Sequence, residues 1–449
     1  MTLIHRRIIY VFFIIIFLLA APIIILRVSG YRFNFIKRDW QKTGMIFLET
    51  KPVNVDVYLN NQLVGQKTPL RIKDLAPSQY DLRIEKDGFQ KWETTLEVTE
   101  GQTKTIQYVR LFKDNQMPKL MLDAAIKTAV INENRSQLAV ITASPTNENN
   151  LTLIDLNSFN QTEVTKLGKL VIEKIEFVDS GARLAVYTKD DLILVSLNNS
   201  GTKISLQEQL AVKNGLKNIK ISLDNGNNVY YIKNEQLIRY DWLLKKEEVL
   251  LPYTPIDYLI YNNQLYFLNN ESLNSTILKM IDLNKNSEPE IITFMERGNY
   301  QLSKINNHFL TIQDKNDQEL LVMSIKDKSS EVIKRVKYYQ WSETGTEMIF
   351  GNDYELWVYR PMAKTSRYIL FTRVSNPITA VDWYPVESHL FYIEGGLMKT
   401  VENIERDGLI FNLGEFGEAD KLFVNKAGDK IFFTGTVGKT VGLYEVEIQ

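Results

Sequence analysis

Trp341-Ser342-Glu343-Thr344-Gly345, then Met348-Ile349-Phe350, a turn, and Leu356-Trp357-Val358-Tyr359: this stretch decides the fold. A bulky anchor is followed by a polar turn closed by glycine, an apolar strand, a second turn and another apolar strand. Trp383 reopens the pattern, with Leu390-Phe391-Tyr392 and Leu397 to Val401 behind it, and Phe423 does so again with Gly428, Ile431-Phe432-Phe433 and Leu443–Ile448. Weaker copies open at Ile131, Phe177, Ile221, Tyr258 and Leu302. The eight anchors lie 46, 44, 37, 44, 39, 42 and 40 residues apart. A period of roughly 40–45 residues with three or four short strands per unit is the signature of propeller blades. A lone sheet with two apolar faces cannot bury both, so neighbours stack around an axis and close a ring. A β-helix has shorter repeats, and a row of sandwich domains needs about double this period.

The pattern predicts an eight-bladed β-propeller over 119–449, and it also predicts how the ring closes. The inner repeats have a fourth, outermost strand, as in Glu247–Pro252, Tyr368–Thr372 and Gly408–Leu413. The eighth runs Leu422–Asn425, Lys430–Thr434 and Val441–Ile448, and the sequence ends at Gln449. Lys119–Asp123 is expected to pair with Val441–Ile448 and cover an edge that would otherwise invite aggregation.

Upstream, from Gly44, short alternating apolar runs alternate with turn residues, and no helical period appears. Gly44–Leu48, Val55–Leu59, Gln62–Val64, Leu70–Ile72, Tyr80–Lys86, Thr94–Val98 and Thr103–Leu111 read as strands of a small all-β sandwich. Tyr80, Leu82 and Ile84 share one face.

These residues resemble the PEGA domain, a short β-sandwich module of bacterial surface and membrane proteins. The matching positions are Gly44 and Ile46, Pro52, Val57-Tyr58-Leu59, Gly65, Thr68-Pro69, Leu75, Pro77, Tyr80, and Lys86-Asp87-Gly88-Phe89 with Trp92. The tetrad that gives the family its name is here Pro52-Val53-Asn54-Val55, and Ser78 stands where a glycine is expected. The resemblance covers 44–112 and implies an envelope location with a structural or binding role. The tryptophan–serine–turn–glycine pattern of the repeats also resembles the Tol-type and WD40-like propeller repeats of bacterial envelope proteins.

The N-terminus holds Ile8 to Leu26, nineteen residues without a charge, flanked by Arg6, Arg7 and Arg27. That length approaches the roughly 20 residues of a membrane-spanning helix. It exceeds the typical 7–15 residues of a signal-peptide core. Ala20-Ala21 is followed by Pro22 and further aliphatics, an unfavourable cleavage site. An uncleaved anchor is expected, with Met1–Leu26 retained. Arg27, Arg32, Lys37 and Arg38 outnumber Arg6 and Arg7, so the positive-inside rule does not set the orientation. Long domains translocate largely regardless of charge, and the reading is N-inside with everything after about residue 30 outside the cytoplasm. Tyr31, Phe33 and Phe35 resemble an interfacial aromatic belt.

Composition excludes several chemistries. Fifty-three basic against fifty-four acidic residues give a net charge of −1, no footing for a nucleic-acid binder. With no cysteine there is no disulfide, Cys-zinc site, iron–sulfur cluster or thiol nucleophile. The three histidines, His5, His308 and His389, lie beside the membrane helix or next to apolar strands, where turn or strand-edge roles are expected. Ser222-Leu223-Asp224-Asn225-Gly226 resembles a single sialidase-type Asp box, but one such turn reads as a turn stabilised by Asp and Gly. Asp190-Asp191 and Glu247-Glu248 read as solvated acidic pairs, and Asn147-Glu148-Asn149-Asn150 as loop composition. No phosphate loop, dinucleotide fingerprint, EF-hand or Gly-x-Ser-x-Gly elbow occurs.

The sequence therefore predicts a cytoplasmic tail at 1–7, a transmembrane helix at 8–26, a juxtamembrane linker at 27–43, a PEGA-like sandwich at 44–112, a linker at 113–118 and the propeller. No catalytic, cofactor or metal residue is assigned, and the ligand-binding residues stay unnamed. The expected role is non-catalytic binding or scaffolding of a protein partner or envelope polysaccharide at the cell surface. The alternative is a propeller glycan hydrolase, which requires two carboxylates within about 5–10 Å on one face.

Overall fold

The computed structural model describes residues 3–34, 39–114, 116–144, 146–198, 201–222, 226–271, 273–285, 288–404 and 408–449. The chain divides into two compact units, Met1–Asn115 and Gln116–Ile448.

In the first unit a helix spans Leu3–Val28. It is longer than the expected 8–26 because the flanking residues continue the backbone hydrogen-bonding. Its stretch Arg6–Val28 is long and apolar enough to cross a membrane, and none of that stretch is buried inside the protein. The chain leaves the helix through Gly30 at φ +83°, a left-handed conformation that costs a glycine no Cβ clash. The segment expected to be a plain linker, 27–43, instead contains a hairpin of Tyr31–Asn34 with Asp39–Lys42. Alternating aromatic and polar residues at Tyr31, Phe33 and Trp40 supply the two-residue period that permits it.

Seven strands follow in two sheets. Gly44–Lys51 lies between Leu70–Leu75, antiparallel, and Thr103–Arg110, parallel. The other sheet is ordered Gln62–Gly65, Asp56–Leu59, Ser78–Glu85, Trp92–Val98. Alternate residues are buried, among them Ile46, Leu48, Val57, Leu82, Ile84, Trp92, Leu96 and Val98. Each such aliphatic or aromatic side chain stabilises by roughly 1.5–3 kcal/mol on full burial. Gly44 is there for room: a Cβ would meet the Val98 side chain at 2.5 Å and the Thr99 carbonyl at 2.6 Å.

The second unit contains, among the described residues, eight four-stranded antiparallel sheets. In chain order their first strands are Ala125–Ile131, Ile172–Val178, Lys217–Ile221, Asp257–Tyr261, Tyr300–Leu302, Tyr338–Trp341, Ile378–Trp383 and Glu418–Val424. Every anchor residue predicted from the repeat falls in one of these first strands. Apolar clusters join successive sheets. Val186 and Val195 of the second pack with Ile141 and Leu151 of the first, and Phe350 and Met348 of the sixth with Leu320 and Ile333 of the fifth.

Seven of the sheets use four consecutive strands. The eighth is ordered Lys119–Asp123, Thr440–Glu447, Lys430–Val437, Glu418–Val424. Its outer strand comes from the start of the unit, with Lys119 opposite Glu445, Leu120 opposite Tyr444 and Asp123 opposite Gly442. The closure expected from the sequence is present. Phe432 and Leu443 of this sheet share a cluster with Leu138 and Ile154 of the first, so the ends of the unit are packed as well as paired.

Candidate functional site

The residue before the anchor is polar in six repeats: Glu176, Lys220, Asp257, Gln301, Gln340 and Asp382. The first strands bring several of these to neighbouring sheets. The Asp257 carboxylate accepts from Asn218 Nδ2 at 2.9 Å and Lys220 Nζ at 2.7 Å on one oxygen, and from the Leu302 amide at 2.7 Å on the other. It thereby spans the third, fourth and fifth sheets. Burial pushes the Lys220 ammonium below its ordinary pKa, with Asp257 opposing the shift.

Asp382 is still more fully engaged. One oxygen accepts from Arg135 Nη2 at 3.0 Å, Gln340 Nε2 at 2.9 Å and the Trp383 amide at 2.8 Å. The other accepts from Arg135 Nη1 and the Val424 amide, both at 2.8 Å. A carboxylate offers about four lone-pair sites, so Asp382 is saturated. Burial disfavours the Arg135 charge, but Asp382 beside it prevails and raises its pKa. Lys421 likewise ties the eighth sheet to the first through Thr128 Oγ1 at 3.1 Å and the Ala129 carbonyl at 2.9 Å. Held in this way, Asp257 and Asp382 are staples between sheets, each oxygen of both already accepting at least one hydrogen bond.

A cleft of about 410 Å³ opens between the fifth and sixth sheets. The outer strand of the fifth sheet has four residues, Ser330–Ile333, while the sixth presents the longer Tyr368–Arg373. The face of the sixth sheet is thus only partly covered, and it is aromatic. Phe350 stacks on Trp357 with ring centres 6.2 Å apart, and Tyr359 on Tyr368 at 5.1 Å. The carboxylates on the walls are partnered. Glu331 accepts from Tyr359 OH at 2.9 Å and pairs with Arg367 at 3.3 Å. Glu355 accepts from Trp357 Nε1 at 3.2 Å and pairs with Arg373 at 2.7 Å. The Trp357 hydrogen bond, then Arg373, holds the Glu355 carboxyl below its usual pKa. Lys334 pairs with Glu319 at 2.9 Å. Arg335, at φ +60°, is the one charged lining residue with no ion pair among those described. The cleft combines the half-exposed Trp357 and the exposed Tyr368 with the buried Phe350, hydrogen-bonding carboxylates and a cation, the composition of a recognition surface. A second cleft, of about 720 Å³, lies between the first and second sheets beside Leu170, Asp191, Lys203 and Gln207, and has no aromatic lining.

The histidines are separate from both clefts. His308 is buried in a turn against Phe309, ring centres 4.2 Å apart, and burial lowers its pKa. His389 begins a strand, is buried, and its Nδ1 lies 3.0 Å from Ser388 Oγ. His5 has no described side chain, and residues 223–225 of the Asp-box-like turn lie outside the described residues. Among the described residues no group of three or more His, Asp or Glu side chains is arranged to hold a metal ion.

Asp191 differs from expectation, whereas Glu247 and Glu248 are exposed as expected. Asp191 is half-buried and accepts from the Leu192 and Gln207 amides and from Ser205 Oγ, closing the turn before the short helix Leu206–Leu210. Glu247 and Glu248 are ion-paired with Lys233 and Arg239 across their sheet. In the Asn-rich turn, Asn149 is fully buried and donates to the Leu170 carbonyl at 2.6 Å. The cleft aromatics were visible in the sequence only as strand residues.

Residues 43–111 match the family model of the PEGA domain, one residue displaced from the expected 44–112. No curated protein matches the sequence. Among solved structures, the chain is similar to the C-terminal WD40 domain of Sif2, at 11% identity and TM-score 0.51 over 74% of this chain and 99% of that one. The Dos1 propeller matches at 11% identity and TM-score 0.48, covering 74% and 95%. Kluyveromyces lactis Hsv2 matches at 11% and 0.43, covering 64% and 98%. At such identity the Sif2 likeness shows the fold alone, a β-propeller.

Proposed function

We propose that this chain is a membrane-anchored envelope protein that binds or scaffolds without catalysis. In this reading the N-terminal helix is a single span with its short tail in the cytoplasm. A PEGA sandwich follows outside, and the eight sheets are the blades of one propeller that engages a protein partner or an envelope polysaccharide. The observation that carries the reading is the state of Asp257 and Asp382. The buried first-strand carboxylates are engaged by contacts between sheets, while Trp357 and Tyr368 keep exposed ring surface in the cleft. A glycan hydrolase would need an acid and a second carboxylate with free oxygens facing one another.

The test is a photoreactive benzoylphenylalanine at Tyr368, on the cleft, compared with one at Ile410, an exposed outer-strand position of the seventh sheet. In intact cells Tyr368 is expected to yield a discrete cross-linked species that Ile410 does not. Equal yields at both positions, or release of sugar from envelope glycans by the purified protein, would overturn the reading.

A further inference from the structure

The hairpin directly after the N-terminal helix presents an aromatic pair to its surroundings. Phe33 and Trp40 are opposite one another in the register, with ring centres 5.6 Å apart in an edge-to-face arrangement. They remain 39% and 37% exposed. A two-stranded hairpin is marginal in water by itself, and an exposed tryptophan–phenylalanine pair forgoes the burial that makes aromatic residues stabilising. This hairpin is nevertheless held firmly. Arg32 Nη1 donates to the Arg27 carbonyl at 2.9 Å in the last turn of the helix, and Arg32 Nη2 pairs with Asp74 of the strand Leu70–Leu75 at 2.7 Å. Thr43 donates to the Gly30 carbonyl through both its amide and its hydroxyl, each at 2.9 Å. The hairpin is thus fixed to the helix end on one side and to the sheet on the other.

Its distance from the apolar stretch is small. Phe33 is five residues beyond Val28, where the apolar stretch ends. The interfacial layer on each side of a bilayer is roughly 5–8 Å thick, half the difference between the total and hydrocarbon thicknesses. Tryptophan and other amphipathic rings concentrate in that layer. Arg27, exposed in the last helical turn, adds a cation at the level of the lipid phosphates.

We infer that the Phe33–Trp40 hairpin is a lipid-binding element. Its rings seat among phospholipid headgroups, Arg27 faces the phosphates, and Arg32 transmits that seating to Asp74. The inference rests on the reading of the helix as a membrane span, and adds that the adjoining module is held at the lipid surface instead of swinging from a flexible linker.

The test uses the full chain reconstituted in vesicles of phosphatidylcholine and phosphatidylglycerol containing a radiolabelled phospholipid. Benzoylphenylalanine is introduced singly at Phe17, in the middle of the span, at Trp40, at Phe33, and at Tyr108, an exposed position of the sandwich. Lipid labelling is expected at Phe17, and at Trp40 or Phe33 at no less than fivefold the Tyr108 level. Using both hairpin positions covers the case where one substitution perturbs folding. Labelling at Phe17 with both hairpin positions at the Tyr108 level overturns the hairpin inference and leaves the span standing. No labelling at Phe17 overturns the span and the inference together. Cross-linking of the hairpin to a protein in native membranes, without lipid labelling in vesicles, also overturns it.

Discussion

Asp382 accepts both terminal nitrogens of Arg135, a residue 247 positions earlier in the chain, at 2.8 and 3.0 Å. Arg135 belongs to the first sheet's opening turn and Asp382 to the seventh sheet, with Val424 of the eighth bound to both. One ion pair therefore connects the beginning and end of the repeat array across the sheet that closes it. Both side chains are nearly inaccessible to solvent, so salt screens the pair weakly.

Removing one partner would leave the other charge buried and uncompensated, which costs about 3–5 kcal/mol. Asp382→Ala is expected to destabilise the second unit by that order, read by denaturant unfolding monitored through tryptophan fluorescence. Arg135→Ala should cost a similar amount, and the double variant much less than the sum, because the two act as one interaction. Additive losses would show that the pair is not coupled.

The closing strand gives a covalent test. The chain has no native cysteine, so Lys119→Cys with Glu445→Cys, directly opposite in the register, is expected to oxidise to an intrachain disulfide. Lys119→Cys with Glu447→Cys, two residues out of register, is not. The mobility of non-reduced protein on a denaturing gel reads the result, and equal cross-linking of both pairs would contradict the register.

Buried phenols set an alkaline limit. Burial pushes the Tyr392 hydroxyl up to about 12 and raises Tyr187, Tyr231 and Tyr258 as well. A group whose folded pKa is raised contributes stability that is whole below its unfolded value, about 10 for tyrosine. That contribution is lost as pH climbs through the folded value. Phenolate absorbance is expected to rise in two stages, with the buried set ionising at distinctly higher pH than solvent-exposed tyrosines and together with loss of tertiary structure. A single transition near pH 10 in folded protein would show these rings to be solvated.

Much of this architecture was legible because the repeat places an apolar anchor in every first strand, from Ile131 to Phe423, at or next to the strand's end in all but the fourth, where Tyr258 is the second residue of Asp257–Tyr261. The closing role of Lys119–Asp123 followed from strand counting. The pairing of Tyr31–Asn34 with Asp39–Lys42 was not legible, because Tyr31 and Phe33 also read as an interfacial belt with Phe35, which lies outside the described residues, and the two strands are only four residues each. The sheet-to-sheet staples were half-legible. A polar residue before the anchor recurs in the sequence, but pairing Asp382 with Arg135 depends on ring closure bringing sheets from opposite ends of the chain together. The cleft was hidden because its cause is a strand length, Ser330–Ile333, and strand ends are the least determined part of an alternating pattern.

His308 and His389 are packed inside the fold. Their joint replacement by Asn is expected to leave cross-linking at Tyr368 unchanged. A chelator is expected to shift the melting temperature by no more than a degree or two, since a ligand bound only to the folded state would stabilise it measurably. A larger fall on chelation would reveal a metal that these residues were not assigned.

The proposed function requires that the helix anchors the chain and that the repeat unit is outside the cytoplasm. Right-side-out membrane vesicles from cells expressing the protein with an epitope after Gln449, treated with protease without permeabilisation, test it most directly. The epitope is expected to disappear while a fragment containing Ile8–Leu26 stays with the membrane. An epitope that survives until detergent is added would contradict it.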